Sequence, residues 1–253
     1  GDHVWIDVNE NGQQDDGDYA VPVLPSVPFT LHVYDDGVEQ SWQDTTSDGN
    51  GDYSFTGLAP AQPLPSGAKY TDDGLDLDHT SLLGLARYSY RLNVTVPDGY
   101  LVTSRYKDNG GKVPVVGEDK RALDNNFDAY GASEEFYIPA LTNGQPTDDD
   151  TYDLGLIRMR DLTINKYGEN SAEPVEGYAF DIFGPFYRTG TVESIAITTE
   201  NPIATLEGGK EFVSDSEKYL NAYAYYVIAE KDTQKREYYD DIASVTSQGS
   251  AVS

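Results

Sequence analysis

The chain contains no cysteine, which excludes disulfides, thiolate metal sites and cysteine nucleophiles together. Its three histidines, His3, His32 and His79, are scattered and show no zinc spacing. No apolar run approaches the ~20 residues that a membrane-spanning helix needs, and Gly1-Asp2 opens no signal peptide. Basic residues are scarce: 17 Lys and Arg face 44 Asp and Glu, a net charge of −27. Nucleic acid and anionic membrane surfaces would repel such a chain. Ser, His and Asp occur without a nucleophile motif around them. Helical periodicity is also weak, with a turn or two at most over Leu82 to Tyr88.

What the sequence does have is short runs rich in Val, Ile, Thr and Tyr, separated by Gly, Pro, Asn and Asp clusters. These read as strands: Pro28 to Tyr34, Asp52 to Phe55, Tyr88 to Val96, Leu162 to Tyr167, Gly177 to Phe183, Val192 to Thr198 and Ala222 to Glu230. The expected fold is all-β, two tandem Ig-like β-sandwiches. The boundary is expected within Leu156 to Asp161, giving domains 1–157 and 158–253. There the Asp-rich TDDDTYDLGL gives way to RMRDLTINKYG. No low-complexity linker intervenes, which favours abutting domains and a stiff rod. The acidity is uneven: −20 up to Leu156 and −7 from Ile157 onward. An Asp excess in the first part suits bound cations, although most of these carboxylates are expected to be plain solvated surface.

The sharpest local signal is DVNENGQQDDGD, Asp7 to Asp18. Oxygen-bearing side chains fall at Asp7, Asn9, Asn11 and Asp15, with Gly12 at the sixth position and Asp18 at the twelfth. This is the ligand spacing of an EF-hand calcium loop, in which Gln13 would contribute its backbone carbonyl. Asp18 stands where an EF-hand has a bidentate Glu, so weaker or differently shaped coordination is expected. The flanks are HVWID before and Pro22, Pro25 and Pro28 after, which place the loop on a β scaffold. The alternative is an Asx-rich turn that binds nothing. SDGNGD, with Asp48, Asn50 and Asp52, is expected to be a hairpin turn.

GDHVWIDVNENGQQDDGD, TTSDGNGDYSFTGL, PDGY and TYDLGL resemble, in order, the B repeats of Sdr-type surface adhesins of Gram-positive bacteria. The resemblance covers nearly all of residues 1–156, with an insertion over Ala59 to Leu85. It implies a calcium-binding β-sandwich stalk module that spaces a ligand-binding region from the cell wall. It also implies a further calcium cluster in an Asp-rich stretch, here GEDKRALDNNFDA, offering Asp119, Asp124, Asn126 and Asp128.

LTINKYG, PVEGYAFDIFGP and YYVIAEKD resemble a Cna B-type domain, which implies a prealbumin-like sandwich over residues 161–253. That resemblance implies an intramolecular isopeptide bond from a first-strand lysine, Lys166, catalysed by a glutamate, Glu230. The acceptor would be an Asn or Asp on the last strand. Strand parity puts Lys166 with Leu162 and Ile164, and Glu230 with Ile228. A buried amine or carboxyl shifts toward neutrality, where it can act as nucleophile or proton shuttle. A snorkelling lysine or a plain salt bridge is the alternative. The first half has no lysine in HVWIDV and has Val94 at the Glu position. Only 23 residues follow Glu230, so no acceptor is assigned; Asp240 and Asp241 stand just before where a last strand could lie.

The expectation is a stalk segment of a longer extracellular, cell wall-anchored surface protein, its cofactor Ca2+ and its neighbours further domains. It is not expected to be an enzyme. A second reading is a module that binds a host protein or glycan, with Asp72, Asp73, Asp76 and Asp78 of the insertion as the place to look. A third, a calcium-dependent carbohydrate-active enzyme, lacks any carboxylate pair that the sequence singles out.

Overall fold

The computed structural model of the chain describes residues 2–14, 23–59, 88–107, 124–138, 152–168, 172–173, 177–187 and 201–231, and the backbone of 238–246. The protein is all-β: every regular element of the described residues is a strand. It divides into two compact units, Gly1–Ile157 and Arg158–Ser253.

In the first unit, β1 (Asp2–Ile6) pairs in parallel with β7 (Leu154–Arg160) through Val4, Trp5 and Ile6 opposite Leu154, Gly155 and Leu156. On its other side β1 meets β4 (Asp52–Tyr53), and β7 also pairs with β6 (Tyr100–Val102). A second sheet has the order β3-β2-β5: Val38–Thr46, Pro28–Asp35 and Tyr88–Val94. The strand alternation follows from burial of one face. Phe29 and Leu31 of β2, with Tyr90, Leu92 and Val94 of β5, are buried, while the residues between them reach solvent to varying degrees.

Aromatic side chains join the two sheets. The Phe29 ring stacks on Tyr53 at 3.8 Å between centroids and lies 5.9 Å from Phe127. Full burial of a ring such as Phe29 contributes about 1.5–3 kcal/mol. The Tyr53 hydroxyl donates to the Tyr152 carbonyl at 2.5 Å, so the phenol keeps a partner inside the core.

In the second unit the sheet order is β10-β9-β13-β14: Ala204–Glu207, Ala179–Phe186, Tyr225–Lys231 and Tyr238–Thr246. β8 (Leu162–Thr163) pairs with β11 (Glu211–Phe212). β12 (Leu220–Asn221) pairs with Arg160 and Met159, the end of β7. Ile182, Leu206, Phe212 and Tyr226 form the core, with Leu162 and Ile164 packed against it. Phe183, Val227 and Ala229 cluster separately, with Phe186 packed against them.

Several sequence expectations differ in detail from what forms. Leu162–Thr163 is shorter than the expected Leu162 to Tyr167, and Tyr167 makes only an isolated bridge. The turn at Asp48 to Asp52 does not close a hairpin, because β3 pairs with β2 whereas β4 pairs with β1. Its Asp48 carboxylate instead accepts from the backbone N–H groups of Asn50 and Asp52, an Asx turn that passes the chain between sheets. Asp240 and Asp241 lie inside β14 rather than before the last described strand. The expected strand Val192 to Thr198 and most of the Ala59 to Leu85 insertion lie outside the described residues.

Candidate functional site

The Asp7 loop leaves the end of β1, where the Asp7 N–H still donates to the Leu156 carbonyl. The Asp7 side chain is fully buried. Its Oδ2 accepts from the Gly12 N–H at 2.8 Å and from the Thr103 hydroxyl at 2.5 Å, and Oδ1 accepts from the Asn11 N–H at 3.2 Å. Burial pushes the Asp7 carboxyl above its ordinary range; the hydrogen bonds from Thr103, Gly12, Asn11 and Glu10 oppose that push without overcoming it. The Asn9 and Asn11 side-chain oxygens accept from the N–H groups of Asn11 and Gln13. Gly12 has φ +75°, and a Cβ there would sit 2.6 Å from the Ser104 carbonyl oxygen and 2.5 Å from Lys107 Cγ. The spacing that suggested a cation loop therefore folds as a chain of Asx turns around one buried carboxylate. Its side-chain donors are oxygens only, the chemistry that suits hard cations.

The second Asp-rich stretch meets this loop within the first unit. Gln13 forms a backbone bridge to Asp124, and Asn125 one to Arg105. Asp124, Asn125 and Asn126 are all fully buried. Asn125 Nδ2 donates to the carbonyls of Thr103 and Phe127, which ties this stretch to the segment that follows β6. Asn126 Oδ1 accepts from the Asp153 N–H at 2.8 Å, and the Asn126 N–H donates back to the Asp153 carbonyl. Asp128 stands apart in role: its Oδ1 accepts from the N–H groups of Tyr130 and Ala132, closing a surface turn. Asp15, Asp18 and Asp119 lie outside the described residues. Among the described residues, no group of three or more His, Asp or Glu side chains is arranged to hold a metal ion.

Asp153 was not singled out from sequence. It is buried, and its carboxyl is pushed up to about 8, first by desolvation and then by the charges of Asp2 and Asp124. The only sequence signal was the acid-rich TDDDTYDLGL, in which nothing distinguishes Asp153 from the other aspartates.

In the second unit, Lys166 and Glu230 meet. Lys166 Nζ lies 2.6 and 2.7 Å from the two Glu230 carboxylate oxygens and 4.0 Å from the centre of the Tyr178 ring. Leu162, Ile164 and Lys166 alternate with exposed Asp161, Thr163, Asn165 and Tyr167, so the lysine follows the parity of the two apolar residues. It is half-buried, not buried: the two side chains keep 37% and 20% exposure. A register shift in the β13–β14 pairing falls between Ala229 and Lys231, at Glu230. β14 supplies Ile242 opposite Ala229 and Tyr238 opposite Lys231, so the backbone of Asp240 and Asp241 lies in the stretch that faces Glu230.

Residues 1–74 match the family model of the SdrD B-like domain. This segment holds β1 to β4 and the whole Asp7 loop. The chain is also similar to serine-aspartate repeat-containing protein C of Staphylococcus aureus. With the strain Newman protein it is 30% identical over 117 residues, which is 42% of this chain and 12% of that protein. With the strain N315 protein the identity is 30% over the same length, 11% of that protein. The aligned part is thus a small fraction of the curated relatives' length. The SdrD B-like segment contains Asp7, Asn9, Asn11 and Gln13; the Lys166–Glu230 pair lies beyond it.

Proposed function

We propose that this chain is a stalk segment of a bacterial cell-surface adhesin, located outside the cell and held to the wall through the rest of a longer protein. Its task is mechanical, to carry a distal binding region away from the surface. The observation that carries this reading is the match of residues 1–74 to the SdrD B-like domain, in the segment that forms the loop around buried Asp7. In this reading Asp7, Asn9, Asn11 and the Gln13 carbonyl hold Ca2+ together with Asp15 and Asp18. Asp119, Asp124 and Asn126 form a second cluster. Two features support a hard cation here: the side-chain donors are oxygens, and burial raises Asp7 and Asp153, a cost that a positive charge would offset. Bound Ca2+ would supply that charge and cross-link the loop to the Asp124 stretch.

Lys166 is proposed to lock the second unit through an amide to an Asn or Asp side chain. The bond forms between Lys166 Nζ and the side-chain carbonyl carbon, with ammonia leaving from Asn or water from Asp. Glu230 takes the amine proton and returns it to the leaving group. The contact between Lys166 Nζ and the Glu230 carboxylate supports this role. The reaction happens once per chain, so the protein is not an enzyme.

The test joins two measurements on the full chain. Tryptophan-monitored thermal unfolding with Ca2+ and then with EDTA should show a loss of stability on chelation. Intact mass under denaturing conditions should fall about 17 or 18 Da below the sequence mass. Identical melts with and without Ca2+ would overturn the cation assignment; a full unmodified mass would overturn the amide.

A further inference from the structure

We propose that the outer edge of β3 docks an extended, positively charged segment of another protein, which adds to the β3-β2-β5 sheet as a further strand. β3 runs nine residues, Val38–Thr46, and pairs along one edge with β2; among the described residues its other edge pairs with no strand. Every residue from Val38 to Asp44 is exposed, with Val38 at 62% and Trp42 at 66%. The unpaired N–H and C=O groups of such an edge are a template for an incoming strand.

Proteins commonly block such an edge with Lys or Pro, and β3 contains neither. It carries Glu39 and Asp44, with Asp35 and Asp36 just before it and Asp48 just after. An edge guarded by one sign of charge repels a second copy of itself and attracts a cationic strand. The net charge of −27 extends that preference to the approach.

The pairing register shows what the guest would meet. Trp42 stands opposite His32, which stands opposite Arg91, so the indole lies on the sheet face away from buried Phe29 and Leu31. Asp44 shares that face and accepts from the Thr30 hydroxyl; Glu39 Oε1 pairs with His32 Nδ1. Both carboxylates are thus held in place on the strand. A complementary segment carries basic residues opposite Asp44 and Glu39. An Arg opposite Trp42 would stack on the indole. A large, exposed aromatic midway along the strand is the type of residue that anchors interfaces.

The test uses the full chain and a synthetic, end-capped peptide, Thr-Val-Lys-Val-Arg-Val-Thr-Lys-Val, as the probe. Trp5 is buried, so Trp42 is the water-exposed tryptophan and its emission reports the site. A saturable blue shift is expected. By anisotropy of labelled peptide, Trp42→Ala should weaken binding about tenfold or more, with Trp5 emission confirming that the variant is folded. Glu39→Gln with Asp44→Asn should weaken binding and flatten its salt dependence. A proline in place of the Val just before the Arg should abolish it. Equal binding of the proline-bearing peptide would reduce the effect to bulk charge attraction and overturn the proposal. So would unchanged binding by Trp42→Ala, no binding at millimolar peptide, or sedimentation showing that the chain pairs with itself through β3.

Discussion

Replacing Gly12 by alanine tests whether the Asp7 loop is built as a cradle. Gly12 has φ +75°, and an L-residue held in that region costs about 1–2 kcal/mol. The new Cβ would also stand 2.6 Å from the Ser104 carbonyl oxygen, a backbone atom, whereas Lys107 Cγ at 2.5 Å can swing aside. Ser104 follows Thr103, whose hydroxyl donates to Asp7, and Gly12 itself supplies the 2.8 Å N–H to the same carboxylate. Displacing either weakens a hydrogen bond to a charged group, worth about 1.5–3 kcal/mol. The expected loss is therefore about 3–4 kcal/mol. Gly37→Ala is the control, because Gly37 has φ +77° and no atom within 4 Å of an added Cβ; it should lose only the conformational part, about 1–2 kcal/mol. At about 2–4 °C per kcal/mol for a unit of this size, the midpoint should fall by about 10 °C in the first variant and about 4 °C in the second. Both tryptophans belong to the first unit, so fluorescence melts report it separately from the second. Equal shifts for the two variants would refute the reasoning.

Phe29→Ala should cost about 3–5 kcal/mol, because Phe29 is buried and stacks between the two sheets on Tyr53; the same melts measure it. Asp7→Asn should abolish any Ca2+-dependent rise in midpoint while leaving the second unit's unfolding unchanged, as read by calorimetry. In EDTA, Asp153 predicts a pH slope. Its carboxyl sits at about 8 in the folded protein against an ordinary 3.8, so the folded state holds a proton that the unfolded chain releases. Its contribution is present below about pH 4 and declines as pH rises to about 8; Asp153→Asn should remove that slope. Lys166→Arg should restore the full unmodified mass in an intact-mass measurement if the amide forms in the parent chain.

Where one face of a strand is buried, the sequence announced it. Pro28–Asp35 and Tyr88–Val94 alternate as their buried faces require, and the parity of Lys166 could be counted from Leu162. β3 could not be read in this way. VEQSWQDTT shows no apolar alternation because it buries neither face, and hairpin pairing with the preceding β2 across Asp36-Gly37 makes it a strand. The Asp7 spacing was legible because turn chemistry is local. The convergence of Asp124 and Asn125 with that loop, through Gln13, Arg105 and Thr103, is a matter of tertiary pairing across about a hundred residues. Asp128 and Asp124 look alike in GEDKRALDNNFDA, yet one caps a surface turn and the other is buried.

The parallel pairing of β1 with β7 has a consequence for a pulled chain. Tension that enters at Asp2 and leaves past Leu156 drags two adjacent strands in opposite directions along their own axes. The ladder from Val4 opposite Leu154 to Ile6 opposite Leu156 is then loaded in shear, its bonds strained together instead of opening one after another like a zip. The bonds from the His3 N–H to Asp153 and from the Tyr152 N–H to Asp2 lie along the same seam and must slide with it. The first unit thus places its first and last strands where rupture requires many bonds to fail at once.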